Sequence, residues 1–451
     1  FRIAEAAYGA ESYQDAMSSY QRVVEKFPDS EFAPHAQYGL GWTLFNLGEY
    51  QKSSAALTTL LNKYQSSSIA PKGLYVRAMA AYQLGDFNSV LKDVRAFQQT
   101  KPAKNDALDA EYVKGLAEAG LKKFDAAAKT YQNILKNGKD YAAADKVAYE
   151  LGWAHVELGN TNKAVATFGQ LAKTWPDSPL AAESLFRVGE SYYEAKQYPQ
   201  AAEAYQQSAA KTAEGEIAEK SMHKLGWSLL KANDITAARG AFAEQIQKHP
   251  NGELSGDARF LIGECSYKNK DWAAARKAFE AVAVAGDSNY GPLAMFRAGE
   301  CAASMDDWSG SKAWHQNVLS KHPDFEMKAE ARYGLAWAMQ NEGQFDQAMP
   351  LYEQVTEETD TETAAKARFM LGECCFAQKQ HKDATKHFLK TVFLYNHKEW
   401  SAMAYFEAAR CFEVLKDVDQ ARTCYENLIT KYPQHEKVQD AKRRMKELQG
   451  A

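Results

Sequence analysis

Residues 149–211 read YELGWAHVELGNTNKAVATFGQLAKTWPDSPLAAESLFRVGESYYEAKQYPQAAEAYQQSAAK. Inside this stretch Gly152 and Gly189 stand 37 residues apart, as do Ala164 and Ala201, and Phe168 and Tyr205. Stepping outward at the same interval meets Ala4, Gly41, Ala78, Gly115, Gly226, Gly263, Gly299, Ala336, Gly372 and Ala409, with two steps of 36 and the rest of 37. A fixed period of this length is one supersecondary unit copied end to end, each copy burying its faces only against its neighbours. Such a scaffold points to recognition of another macromolecule rather than to chemistry.

Two further columns keep the phase. Twelve residues after each small residue comes a second small one, for example Ala16, Ala127, Ala164, Ala275 and Ala421. Four residues later comes a bulky one, for example Tyr20, Tyr131, Phe168, Tyr205, Phe279, His315, Tyr352 and Tyr425. Small residues let two helix backbones approach and the ring fills the space beside them. Prolines at Pro28, Pro102, Pro176, Pro250, Pro323 and Pro433 end the second helix. Within a unit Leu185, Val188, Gly189 and Tyr192, then Tyr198, Ala201, Ala202 and Tyr205, recur at three- and four-residue spacing. Short turns such as Leu47-Gly48-Glu49 and Leu158-Gly159-Asn160 lie between them. No stretch alternates apolar and polar residues continuously, so the expectation is helix–turn–helix throughout and no strands.

Tyr149-Glu150-Leu151-Gly152-Trp153, followed by Leu158-Gly159, Ala164, Phe168 and Pro176, resembles the tetratricopeptide repeat (TPR). The usual period of that motif is about 34; the extra residues here fall after the proline. The resemblance covers about residues 1–435 and implies an all-α solenoid of about twelve helix–turn–helix units in a right-handed superhelix. The Pro-Asp-Ser linkers at Pro28 to Ser30 and Pro176 to Ser178 resemble those of bacterial cell-envelope TPR proteins. The Tol-Pal-associated periplasmic protein and the outer-membrane assembly TPR lipoprotein are of that kind. The expected location is therefore the periplasm or cell envelope, with the cytoplasm as the alternative.

Composition agrees with a repeat scaffold. The chain has 451 residues, 45% of them hydrophobic, and a net charge of −4 with both signs interspersed. That balance offers no basic stripe for nucleic acid. Lys442-Arg443-Arg444 alternates with Asp440 and Glu447 and reads as a solvated helix face. No run of 18 apolar residues spans a bilayer. No Gly/Ser-rich or Pro-rich linker interrupts the phase, so residues 1–435 read as one continuous solenoid. Residues 436–451 read as a capping helix with Ala441, Met445 and Leu448 on its apolar stripe. The chain opens inside a first helix at Phe1-Arg2-Ile3, which reads as a fragment or a processed form with a truncated first unit.

In TPR proteins the first helices line the concave face, and the resemblance places two columns there. Three residues before the small residue stand Tyr38, Tyr75, Tyr112, Tyr149, Phe186, Phe260 and their equivalents. One residue after it stand Trp42, Trp153, Glu190, Trp227, Glu264, Glu300, Trp337 and Glu373. A third column, with Tyr193 and Tyr267, extends the same helix face. The first column reads mainly as packing between units. The second accepts both Trp and Glu, which a dry core position does not, because an unpaired buried carboxylate is costly. These residues are therefore the candidate groove, aromatic and acidic, suited to a basic or apolar segment of a protein partner. Lys, Arg and Asn clamps for an acidic C-terminal peptide are not what these positions carry.

No cofactor, metal or catalytic group is expected. The six cysteines include Cys265, Cys301, Cys374 and Cys411 at one repeat position, and no Cys-x-x-Cys occurs. They read as small buried thiols, with Cys411 and Cys424 the one pair able to bridge. The Gly-Glu-Cys triplets at Gly263, Gly299 and Gly372 sit mid-helix and are not a nucleophile motif. Two readings of function follow besides a groove scaffold: a structural subunit of a larger assembly contacting neighbours through its convex face and edges, and a glycan-binding envelope module.

Overall fold

The computed structural model describes residues 1–138, 140–212, 214–286 and 289–448. Among the described residues there are 25 helices and no strand. They fall into two compact units, Phe1–Ala232 and Asn233–Ala451. The first unit holds Arg2–Gly9 with Tyr13–Lys26, Ala33–Asn46 with Tyr50–Lys63, Ala70–Gln83 with Phe87–Gln99, Lys104–Gly120 with Phe124–Asn137, Ala144–Glu157 with Thr161–Thr174, Leu180–Glu194 with Tyr198–Lys211, and then Glu216–Lys231. The second holds Ile235–Lys248, then Ser255–Lys268 with Trp272–Ala285, Gly291–Ser304 with Trp308–Lys321, Lys328–Asn341 with Phe345–Glu358, Glu362–Ala377 with His381–Leu394, Lys398–Val414 with Val418–Lys431, and finally Val438–Glu447. Within each unit every helix packs on the next along the chain. First helices of successive repeats also touch, as Ala33–Asn46 does Ala70–Gln83 and Lys328–Asn341 does Glu362–Ala377.

The two sequence columns of small residue and ring meet in space. The ring of the second helix lies flat against the small residue of the first, so closely that a Cβ on Gly152 would sit 2.4 Å from Phe168. Tyr20, Tyr131, Phe168, Tyr205, Phe279, Tyr352, Phe388 and Tyr425 are all buried there. The aromatic column of the first helix meets the same rings at a tilt of 51–59°. Centroid distances are 5.6 Å for Tyr149–Phe168, 5.4 Å for Phe186–Tyr205 and Phe260–Phe279, and 5.1 Å for Phe369–Phe388. Pairs at this range are favourable beyond their buried area. Val438 and Ala441 of the last helix are buried, and Met445 and Leu448 pack on the core around Phe406, Tyr425 and Leu428. Residues 449–451 of the expected capping segment lie outside the described residues.

The turn inside each repeat is built the same way. After Ala33–Asn46 the Gly48 amide bonds to the Phe45 carbonyl and the Glu49 amide to the Leu44 carbonyl, both at 2.9 Å. This closes the helix with a left-handed residue. The same column is left-handed in every repeat: Gly48, Gly85, Gly159 and Gly343, but also Glu11, Lys122, Lys196, Asn233, Lys270, Asp306, Lys379 and Lys416. Next comes the N-cap of the second helix. Asp86, Asp234, Asp271, Asp307 and Asp417 each accept a hydrogen bond there from an amide three residues on.

A lysine in left-handed conformation carries roughly 1–2 kcal/mol of steric cost that glycine does not. Glycine loses about 0.5–1 kcal/mol of that advantage through its freer unfolded chain. Lys196→Gly, Lys270→Gly and Lys379→Gly are each expected to raise the unfolding free energy by about 0.5–1 kcal/mol. Urea titration followed by circular dichroism measures this; a loss of stability in all three would contradict the strained-turn account.

Candidate partner-binding site

The first helices of each unit form one layer, so residues on their outward face make a continuous surface within that unit. Trp42, Tyr149, Trp153, Glu190, Tyr193 and Trp227 lie on it in the first unit; Glu264, Tyr267, Glu300, Trp337 and Glu373 lie on it in the second. All eleven are half-buried. Tyr149 is divided between roles, because its ring also closes the core pair with Phe168.

Most of these side chains already have partners within the chain. The column that faces them lies two residues before the small residue of the next repeat, a position that sequence reasoning passed over. Arg187 there lies over the Trp153 ring at 4.9 Å and bonds Glu183 at 2.9 Å. Lys224 pairs with Glu190 at 3.1 Å and lies 5.2 Å from the Tyr193 ring. Arg297 bonds Glu264 at 3.0 Å and Glu300 at 2.7 Å, and lies over Tyr267 at 4.9 Å. The signal was available as a recurrence of cations 33 or 34 residues after a Trp or Glu. The remaining tryptophans are held by neighbours of their own kind. Trp42 donates to the Tyr38 hydroxyl at 2.6 Å, Trp227 donates to His223 at 3.0 Å, and Trp337 meets Trp308 edge-on at 5.2 Å. An exposed pair of this type is worth little by itself, so the network shapes the face more than it stabilises the fold.

Tyrosines from the second helices reach the same surface. The Tyr20 hydroxyl donates to Glu5 and the Tyr205 hydroxyl to Glu190, both carboxylates standing one residue after the small residue. Tyr352 reaches Gln340 and Tyr425 reaches Glu413, each at 2.7 Å. Glu190 and Glu413 therefore accept from a ring behind them and from a cation beside them, Lys224 and Arg444 respectively.

Glu373 breaks this pattern. The facing position of the next repeat carries Glu407, which binds Arg410 at 2.6 Å, and Glu373 makes no hydrogen bond or ion pair among the described residues. Burial first, and the Glu407 charge second, push its pKa up to about 7. Burial also raises Glu300 and Glu150 above the ordinary carboxylate range, the former opposed by Arg297.

The six cysteines are free and buried, Cys411 and Cys424 included. Burial pushes the Cys301, Cys374 and Cys411 thiols up to about 12, so they are protonated and unreactive at neutral pH. Among the described residues no group of His, Cys, Asp and Glu is placed to hold a metal ion. Among them too, no helix is long and apolar enough to cross a membrane.

Comparison with known proteins agrees with this geometry. Two family models described as tetratricopeptide repeat match, one over residues 1–67, 149–216 and 223–292, the other over residues 403–435. A third, described as anaphase-promoting complex, cyclosome, subunit 3, matches residues 318–391. No curated protein matches the chain. Among solved structures, the crystal structure of the APC/C hetero-tetramer Cut9-Hcn1 aligns over 98% of this chain and 95% of that one, at 13% identity and a TM-score of 0.39. So weak a superposition carries no argument about function. The fold is an all-α solenoid of tetratricopeptide type.

Glu373 sets a pH dependence whose sign follows from its raised pKa. Its ordinary value is 4.5 and its folded value about 7, so the folded state binds the proton more tightly. The penalty is present above pH 7 and is relieved as the pH falls toward 4.5. Glu373→Gln is expected to stabilise the protein by about 2–3 kcal/mol at pH 8 and by less than about 1 kcal/mol at pH 5. Equal effects at both pH values in urea unfolding would show that the carboxylate is solvated.

Proposed function

We propose that this chain, whose helix pairs are tetratricopeptide repeats, is a non-enzymatic scaffold that holds a segment of a partner protein along the first-helix face. The observation that carries this reading is the face itself. In the first unit it presents Trp42, Trp153 and Trp227, and in the second Trp337, each half-buried and oriented by neighbours, with glutamates on the same face of each unit. Rigid aromatic rings offer apolar contact at low entropic cost, the kind of residue that dominates binding energy. Carboxylates beside them favour a basic or apolar segment over an acidic one. Tetratricopeptide folds are generally non-catalytic, and the buried, protonated thiols supply no nucleophile.

On the Pro-Asp-Ser linkers, the scaffold belongs in a bacterial cell-envelope complex, with a cytoplasmic complex as the alternative. A second reading, a structural subunit held by its second helices, is favoured by Phe393 and Leu394, 73% and 63% exposed at the end of His381–Leu394. The glycan-binding reading rests on the same aromatic rings.

The test is a pull-down from source-cell extract with the wild-type chain and with Trp42→Ala/Trp153→Ala/Trp227→Ala/Trp337→Ala, after circular dichroism has shown that the variant melts cooperatively. At least tenfold weaker capture of a partner by the variant is expected. Equal capture would move recognition to the second helices.

A further inference from the structure

Three columns that build the first-helix face are cut short at one place in the second unit. The second-helix ring of the repeat that starts with Gly291–Ser304 is His315, where Tyr205 and Tyr352 stand in other repeats. An imidazole is shorter than a phenol, so Glu300 receives no hydroxyl from its own repeat, unlike Glu5 and Glu190. Four residues after the small residue stands Ala303, where the adjacent repeats have Tyr267 and Gln340. In the next repeat the position that holds Arg187, Lys224 or Arg297 elsewhere is Gly334. The missing atoms coincide in space as a recess of about 280 Å³, lined by Tyr267, Glu300, Ala303, His315, Gly334 and Trp337 among others.

His315 is the unusual group there. It is 2% exposed, its Nδ1 has no hydrogen-bond partner, and neither ring nitrogen makes a hydrogen bond among the described residues. Its Nε2 lies against the next repeat, where a Cβ on Gly334 would come within 2.4 Å. Burial holds the ring neutral, with its pKa pushed down to about 4, so one nitrogen is an acceptor. Buried polar atoms ordinarily have partners, and His315, which has none, is one of the residues that line the recess. The charge around it is also incomplete. Arg297 serves both Glu264 and Glu300, and Glu330 lines the same recess. Lys366, the cation on the rim, pairs with Glu362 at 3.1 Å.

We propose that this recess is a socket for one arginine side chain of a bound protein segment, which supplies the cation that Gly334 leaves out. This rests on the reading of the first-helix face as a partner site and specifies its anchor. A guanidinium fits on three counts. Its planar fork donates in several directions at once, to His315 and to Glu300. Its flat face stacks on the Tyr267 and Trp337 rings. Its charge adds to that of Arg297, which Glu300 shares with Glu264, and faces Glu330 on the recess wall.

The experiment uses the full chain labelled with 5-fluorotryptophan, the Trp337 resonance being assigned by Trp337→Phe. N-acetyl-arginine methylamide is titrated to 50 mM and followed by ¹⁹F NMR, with the lysine and the uncharged citrulline counterparts alongside. The expected result is a saturable Trp337 shift with the arginine probe, at least fivefold stronger than with citrulline. Ala303→Tyr, which puts a neighbour's residue type into the recess, is expected to abolish it. Glu300→Gln should weaken it at least threefold. No shift up to 50 mM, equal binding of citrulline, or a shift that survives Ala303→Tyr would each overturn the socket. Ala303→Leu repeats the test if the tyrosine variant melts non-cooperatively. A partner lost by the four-tryptophan variant but retained by Ala303→Tyr overturns the socket and leaves the scaffold reading standing.

Discussion

The repeats depend on one contact, a bulky side chain of the second helix laid against a small residue of the first, a ring in all but the two repeats that carry Leu57 and Val94. Phe168 on Gly152, Tyr205 on Gly189 and Phe388 on Gly372 repeat it with Cβ clearances that only a glycine meets. The contact sets how closely the two helices approach, and the aromatic column of the first helix then packs on the same ring at a tilt. Because interiors are packed to crystal-like density, a ring and a missing side chain must arrive together. That requirement keeps the columns in phase along the chain, and it explains why shortening of the ring at His315 leaves a recess.

The ring does a second job. At Tyr20, Tyr205, Tyr352 and Tyr425 its hydroxyl passes beyond the small residue and meets Glu5, Glu190, Gln340 and Glu413 on the first-helix face, whereas the Tyr131 hydroxyl is buried without a partner. Core and binding face are thus joined through single side chains. The identity of one buried residue decides whether a glutamate on the surface is held from behind. Lys224 then holds Glu190, and Arg444 holds Glu413, from the side. Where the facing residue is Glu407 instead, Glu373 is left half-buried and its proton is retained near neutral pH.

Much of this was legible in the residues. The helix pairs, the absence of strands among the described residues, the proline stops and the small-and-bulky columns follow from spacings of 3, 4, 12 and 16 within one repeat. The turn was read at Lys196–Gln197 and at glycines such as Gly48 and Gly159, but the left-handed geometry that lysines and acidic residues share there with the glycines was not. Tertiary packing on both sides of the turn overrides their local preference. The candidate face was found by its Trp and Glu residues, but the glutamates were read as free for a partner. Three of them are already paired within the chain.

What the sequence determined by itself is therefore the repeat: its period, its two helices, its ring and the small residue the ring covers. These involve residues near one another along the chain, so periodicity alone reports them. What only the tertiary structure decided is which charges meet, which ring nitrogens find no partner, and that the chain divides into the units Phe1–Ala232 and Asn233–Ala451. Those outcomes depend on how one repeat is rotated and displaced against the next. A residue such as Arg187 or Gly334 acquires its meaning from a side chain more than thirty positions away. No local pattern fixes that geometry, because it is set by the sum of many interlocking contacts between helices rather than by any one of them.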